Sequence, residues 1–366
     1  MAVLARLIPG PAAVRIGAGV ARELPAILAD QRISTSGRLA IVISEGSGTA
    51  LRERLHGFLP ADAGWFPTRG GRLDDAVDVA DRIRASAAGH EPGAKGLGSY
   101  DTIVGLGGGR VIDVTKYAAA RLGLPMVAVA TNLAHDGICS PVSTLDNDAG
   151  RGSYGVPGPI GIVVDLDLVR DAPGAFVRAG IGEALSNLSA LADWELSHEA
   201  TGEPVDGLAA AMAGTAAEAV LHQPGGIGDE SFLAVLAEAL VLSGLAMSVA
   251  GNSRPSSGAC HEISHALVLL FPGRYGQHGE QVGLGAAFAT HLRGDAERAG
   301  QLVDALRRHG LAALPADLGI DTAGFTEAVA YAPRTRPGRY TILEHLDLTE
   351  AELRDAVKDY VDTYAR

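Results

Sequence analysis

Cysteine is nearly absent from this 366-residue chain, occurring only as Cys139 and Cys260. No disulfide framework can be built from two residues, and a reducing, cytoplasmic setting is expected. Lysine is as scarce, at Lys95, Lys116 and Lys358, and the formal net charge is −13. A sequence-wide basic footprint is therefore missing, which excludes nucleic acid as an expected partner. No stretch offers about 18 uninterrupted apolar residues, so no membrane span is expected either. The opening MAVLARLIPGPAAVRIG is interrupted by Pro9 and Pro11 and has no secretory apolar core or cleavage site. What the chain does have is 47% apolar residues, enough to bury a large core or two ordinary ones. A globular protein working as a homo-oligomer is expected.

Short β-branched runs at Leu39–Ser44, Thr102–Leu106, Met126–Ala130 and Gly161–Val164 read as strands buried on both faces. Helical apolar spacing at 48–58, 74–87 and 111–122 separates them, so parallel strands with crossover helices are the simplest arrangement. AGHEPGAKGLG, at 88–98, reads as a surface loop. After about Asp167 the strand signal stops, and Ala/Leu-rich helices are expected at 177–199, 206–222, 231–251, 258–270, 281–294, 296–309 and 349–365. The expected fold is an α/β N-terminal domain with a Rossmann-like parallel sheet (1–167), followed by an all-α C-terminal domain (168–366).

Four stretches concentrate the chemistry. GLGGGRVIDVTK (105–116) runs a buried strand through glycines into a helix, which lets backbone amides approach an anion such as a pyrophosphate. It fits neither G-x-G-x-x-G, since the third glycine position is Arg110, nor a Walker loop, and a plain tight turn is the bland alternative. TNLAHDGICSP (131–141) follows the next strand, and in an open parallel sheet it should line the same crevice, with Thr131, Asp136 and Ser140 as polar candidates. AGIGEALSNLSALADW (179–194) opens a helix with Glu183, where a carboxylate is favoured even without a function. CHEISHALVLLFPGRYGQHGEQVG (260–283) contains His261, Glu262 and His265 in the H-E-x-x-H pattern of zinc proteases. The extended protease pattern fails, with Val268 and Phe271 at the positions of its glycine and third histidine. His278, beyond a short Pro-Gly loop, suits a site in which Glu183, His261 and His278 bind a divalent metal and leave a position open. His56, His90, His198 and His291 have no such company.

Taken together and in order, GGGRVID with Lys116, HDGICSP, GIGEALSN with ADW, NSRPSSG and HGEQVG resemble the sn-glycerol-1-phosphate dehydrogenase family. That family sits within the iron-containing alcohol dehydrogenase, glycerol dehydrogenase and dehydroquinate synthase-like superfamily. The resemblance spans about residues 100 to 294. It implies a dehydroquinate synthase-like fold, with metal and substrate between a nucleotide-binding domain and a helical one. By position it implies NAD(H) or NADP(H) contacts from Gly107, Gly108, Gly109, Arg110, Asp113, Thr131 and Ser140, with the adjoining Val111 and Asn132. It implies catalytic roles for Asp136 and His265, metal ligation by Glu183, His261 and His278, and zinc as the first choice of ion, with iron or nickel as alternatives. The substrate-binding set is Asp136, Glu183, His265 and, as a phosphate-gripping candidate, Arg254. The family pattern has aspartate where this chain has Glu183, an extra methylene of about an ångström against ligand tolerances of a few tenths.

The reaction expected is metal-dependent, nicotinamide-dependent reduction of a phosphate-bearing ketone, dihydroxyacetone phosphate to glycerol 1-phosphate in type. Alternatives are another phosphorylated or phosphonate-bearing ketone or oxo acid, a dehydroquinate synthase-like cyclase, and a non-catalytic nucleotide-binding protein. Glu45 at the end of the first strand favours NAD, but Arg52 nearby leaves NADP open.

Overall fold

The structure, a computed structural model, describes residues 10–88, 100–148 and 150–365. Most of the loop expected at 88–98, and the first nine residues, lie outside the described residues. The chain divides into two compact units, Met1–Leu133 with Gly137–Ala172, and Ala134–Asp136 with Pro173–Arg366.

Among the described residues, the first unit contains strands β1 (Ala13–Gly17), β2 (Leu39–Ser44), β3 (Gly64–Thr68), β4 (Thr102–Gly107), β5 (Met126–Ala130), β6 (Val142–Asn147), β7 (Gly150–Gly155) and β8 (Gly161–Asp165). Its helices are α1 (Leu24–Leu28), α2 (Ser47–Leu55), α3 (Leu73–Ala88), α4 (Gly109–Leu122) and α5 (Leu166–Asp171). Six strands form one parallel sheet in the order β1-β8-β5-β4-β2-β3, and β6 and β7 form a separate antiparallel hairpin. The central strands β4, β5 and β8 are buried along their whole length, as their continuous apolar runs require. Four strands of the parallel sheet lie where the sequence places them; besides the β6–β7 hairpin, the sheet strands β1 (AVRIG) and β3 (GWFPT) are additional. Each is a five-residue edge strand, one carrying an exposed arginine and the other a proline, and an edge needs neither a full ladder nor two apolar faces. Asp165, at the end of β8, is 3% exposed and accepts from the backbone of Ala21 (2.8 Å) and Asp167 (2.9 Å), which joins the segment after β1 to the start of α5.

The second unit is helical: α6 (Gly174–Thr201), α7 (Gly207–His222), α8 (Glu230–Ala250), α9 (Ala259–Leu270), α10 (His278–Leu292), α11 (Ala296–Arg308), α12 (Thr322–Tyr331), α13 (Ile342–Leu346) and α14 (Glu350–Tyr364). Helices α12 and α13, which are short, are additional to those expected from the sequence. Helix α8 is long and apolar enough to cross a membrane by composition, yet 67% of its most apolar window is buried within the unit, as for a core helix. Glycines set the closest approaches. A Cβ on Gly279 would lie 1.8 Å from the Ala179 carbonyl oxygen, and one on Gly182 would lie 2.0 Å from the Gly279 carbonyl oxygen. Helices α6 and α10 therefore meet backbone to backbone, a contact open only to residues without side chains.

Candidate metal and substrate site

Three devices bring the chemistry of the second unit to one place. The glycine contact seats the first turn of α10 against α6. Asp193, ten residues along α6 from Glu183, accepts the Ala259 amide (2.7 Å) with one oxygen and the Ile342 amide (2.8 Å) with the other, and pairs with Arg293. It thereby fixes the start of α9, two residues before His261. Gly258 has room for no Cβ there, since one would fall 2.3 Å from Asp193 Oδ2. The loop before α10 carries left-handed backbone at Gly273, Tyr275 and Gly276, and a reciprocal cap between Gln277 and Glu280 then starts the helix with His278 as its first residue.

Glu183, His261 and His278 meet. Glu183 Oε1 lies 4.0 Å from His261 Nε2 and Oε2 lies 3.7 Å from His278 Nε2, and the ligand atoms of all three are within 4.8 Å of one another. Ligands bonded tetrahedrally at about 2.1 Å stand about 3.4 Å apart, so the two carboxylate–imidazole sides need contract by about half an ångström, and the whole triangle by no more than about 1.4 Å on any side, to hold a divalent ion. The longer side chain of glutamate thus still delivers its carboxylate to the two imidazoles. Two imidazoles with one carboxylate suit a borderline cation. Burial, then the neighbouring His278 and Arg336, hold His261 well below the usual imidazole range, which keeps it in the neutral, ligating form.

Ser264 and Gln281 orient His278. Gln281 Nε2 donates to the Tyr275 carbonyl (3.0 Å), so its Oε1 faces Ser264 and accepts the hydroxyl proton (2.7 Å). With that proton committed, Ser264 Oγ accepts from His278 Nδ1–H (2.9 Å), and His278 presents its unprotonated Nε2 toward Glu183. Neither residue stands out in the sequence, although Ser264 lies one position from His265 and Gln281 lies three beyond His278. Ser264→Ala is expected to weaken metal affinity about tenfold to a hundredfold with little change in thermal stability, measured by competition with a fluorescent chelator.

His265 is one helical turn from His261 and partly buried, its ring parallel to that of His278 at 6.4 Å between centroids. Asp136 is buried in the same unit. It accepts from Ser243 Oγ (2.9 Å), which in turn accepts from Asn187 Nδ2 (3.1 Å), and Asn187 follows Glu183 by one turn of α6. Glu262 faces the interior: it is 0% exposed and accepts from Thr341 Oγ1 (3.2 Å). A protease base must reach the metal-bound water, and this carboxylate does not. Burial, then Glu344 and Asp193, push it up to about 8. Its native form is thus protonated at neutral pH, and stability is lost as pH rises from the unfolded value of about 4.3 through the folded one. Glu262→Gln is expected to keep turnover and to remove a loss on the order of a few kcal/mol between about pH 5 and pH 9 in chemical denaturation.

Arg254 is 4% exposed and engaged within the protein: Nε donates to Glu203 Oε1 (2.9 Å), Nη1 to the Tyr340 carbonyl (2.9 Å) and Nη2 to Ser197 Oγ (3.2 Å), with an ion pair to Glu203 Oε2. A guanidinium so matched offers no outward fork for a phosphate, and its evident work is to tie the NSRPSSG loop to the end of α6.

In the first unit the glycine turn sits between β4 and α4. A Cβ on Gly108 would lie 2.2 Å from Asn132 Nδ2, one on Gly107 would lie 2.8 Å from Val111, and the Thr131 amide donates to the Gly107 carbonyl (3.1 Å). The turn and the segment after β5 are therefore in contact. No side chain caps α4 at Gly108, so its first amides suit a pyrophosphate oxygen. Arg110 is exposed at the helix start and Gly109 is half buried. Asp113 and Ser140 are both buried. Asp113 pairs with Lys116 (2.9 Å), whose ammonium donates to the Gly137 carbonyl (2.9 Å) and also to that of Val142, and Ser140 Oγ turns to the Val142 carbonyl (3.4 Å). Asp113 and Lys116 so fasten the chain after HDG.

A sheet with a glycine turn, together with a carboxylate and two imidazoles among helices, defines a class. The sequence model of iron-containing alcohol dehydrogenases matches residues 15–173. Among solved structures, a probable glycerol dehydrogenase from Sinorhizobium meliloti is similar in fold, with a TM-score of 0.75 at 23% identity over 99% of both chains. Sulfoacetaldehyde reductase from Bifidobacterium kashiwanohense, solved with NAD+, reaches 0.69 at 18% identity, over 98% of this chain and 100% of that one. The fold is the dehydroquinate synthase-like one expected. The glycerol-1-phosphate dehydrogenase [NAD(P)+] of Hyperthermus butylicus is 35% identical over 82% of each chain. That of Methanoculleus marisnigri is 33% identical over 95% of this chain and 92% of its own. The chain belongs to the glycerol-1-phosphate dehydrogenase family.

Proposed function

We propose that this protein reduces dihydroxyacetone phosphate to sn-glycerol 1-phosphate, reversibly, with NADH or NADPH and one divalent ion, zinc first. The observation that carries the reading is the Glu183, His261 and His278 triangle in a chain whose relatives are glycerol-1-phosphate dehydrogenases over most of their length. The first unit is assigned the nucleotide, through the glycine turn at 107–109 with Arg110, Val111, Thr131 and Asn132. For Asp113 and Ser140 the supporting geometry is one of shaping the turn's surroundings. The second unit is assigned metal and substrate.

When bound, the metal supplies Lewis acidity to the ketone oxygen, and the reduced nicotinamide supplies the hydride. Glu183, His261 and His278 hold the ion, and Ser264 sets the tautomer of His278 that leaves Nε2 available. Asp136, pre-oriented by Ser243 and Asn187, accepts a hydrogen bond from a substrate hydroxyl. His265, partly buried beside those residues, gives a proton from its ring nitrogen to the nascent alkoxide and takes it back in the reverse direction. The buried free thiols Cys139 and Cys260 suit work in a reducing compartment, and a homo-oligomer is proposed.

The test is nicotinamide oxidation with dihydroxyacetone phosphate, using each cofactor, on enzyme stripped by chelation and then reconstituted with Zn²⁺, Fe²⁺ or Ni²⁺. Turnover restored by an ion supports the reading. Silence with every ion and both cofactors, alongside turnover of another phosphorylated or phosphonate-bearing ketone, would transfer the activity to that ketone.

A further inference from the structure

The second unit contains two more arginines at the NSRPSSG loop, and their situation differs from that of Arg254. Arg336 Nη1 donates to Ser253 Oγ (3.2 Å) and Ser257 Oγ (2.9 Å). Arg339 Nη2 donates to Ser253 Oγ (2.9 Å), and its Nη1 to the Ser257 carbonyl. Among the described residues neither makes an ion pair with a carboxylate, whereas Arg254 has Glu203. Two guanidiniums thus share one serine hydroxyl, and the hydrogen-bond partners of both in this loop are neutral. Arg339 is lowered to about 10, by burial first and then by Arg336 and Arg254, which outweigh the opposing pull of Glu262 and Glu203, and it remains charged at neutral pH.

Like charges so close, in surroundings drier than bulk water, repel by more than a surface pair would. An anion that bridged them would remove the repulsion and use their planar forks, which match phosphate oxygens in pairs. Both residues are only partly buried. They also lie near the metal triangle. The 3-10 turn before Arg336, Ala332–Thr335, packs on α9, with Thr335 Oγ1 3.5 Å from the Glu262 carbonyl oxygen, and both guanidiniums are among the charges felt by His261.

The geometry points to Arg336 and Arg339, presented by Ser253 and Ser257, as the subsite that grips the phosphate or phosphonate group of the substrate. Arg254 holds the loop on which those serines stand. The assignment rests on the reading of a phosphate-bearing ketone, and it adds a consequence for specificity. A ketone without the anionic group leaves the two guanidiniums unbridged and is rejected for that reason as well as for its lost contacts.

Zinc-loaded parent, Arg336→Gln, Arg339→Gln and Arg339→Lys enzymes are to be compared on dihydroxyacetone phosphate and on dihydroxyacetone, with calorimetric titration of inorganic phosphate and thermal unfolding of each. In the Gln variants, kcat/KM for the phosphorylated ketone is expected to fall at least about a hundredfold, mostly through KM, with the unphosphorylated one within about threefold. Phosphate binding should weaken at least about tenfold, and Arg339→Lys, which keeps the charge but not the fork, should fall between. Equal losses on both ketones with phosphate binding intact would overturn the subsite and make the pair structural, as would phosphate binding absent from the parent. Should the Gln variants unfold, Arg339→Lys decides by the same two readouts. If the parent ignores dihydroxyacetone phosphate yet binds inorganic phosphate in an arginine-dependent way, the substrate reading falls and the subsite stands.

Discussion

Glu183→Ala is expected to bind Zn²⁺ more than about a hundredfold more weakly than the parent, beyond what loss of an outer-shell partner costs, and to lose turnover at every metal concentration that keeps the protein soluble. The reason is charge as well as geometry. Glu183 is the anionic member of the triangle, and without it two neutral imidazoles must hold a dication alone. Metal content after dialysis measures the effect independently of activity. Glu183→Asp is the sharper comparison. In this chain the glutamate carboxylate already lies 4.0 and 3.7 Å from the two imidazole nitrogens, so withdrawing it by about an ångström exceeds a ligand tolerance of a few tenths. The aspartate variant is expected to bind metal about tenfold or more weakly. Affinity equal to or above that of the parent would mean that α6 and α10 adjust freely, and would count against a rigid triangle.

Gly279→Ala is expected to cost about 3 kcal/mol or more of stability and to abolish metal retention together. Alanine favours a helix interior by about 1 kcal/mol over glycine, so propensity alone would stabilise the protein. The new Cβ, however, would stand 1.8 Å from the Ala179 carbonyl oxygen, and that oxygen is backbone. Helices α6 and α10 must then part by more than an ångström, which separates His278 from Glu183. Gly300→Ala in α11 is the matched control, because nothing lies within 4 Å of its would-be Cβ. It should gain on the order of half a kcal/mol and keep its metal. Denaturant unfolding with metal analysis reads both variants, and a Gly279→Ala protein as stable and as metal-loaded as the control would refute the backbone contact as the device that builds the site.

Much was legible along the chain. The apolar runs at 39–44, 102–106, 126–130 and 161–164 could be read because a strand buried on both faces has no polar alternation to satisfy. His261 and His265 declared a shared face by their four-residue spacing, a property of any helix. The same local logic could not find AVRIG or GWFPT, whose pairing depends on a neighbour elsewhere in the chain. Nor could it tell Arg254 from Arg336 and Arg339. All three are arginines near serines, and only the position of Glu203 beside the first makes it a structural tie.

The sequence by itself determined which side chains could carry the chemistry: an acid in a glycine-flanked helix, histidines at helix spacing, a glycine turn after a buried strand. Those are short-range properties, set by backbone period and residue type. Tertiary structure alone decided what each one faces. It directed Glu262 into the core and Glu183 to the histidines, committed the Ser264 proton to Gln281 and so the tautomer of His278, and used Gly182 and Gly279 to bring two distant helices into contact. Such choices depend on distances between residues far apart in sequence, and close packing fixes those distances only when the whole core has formed.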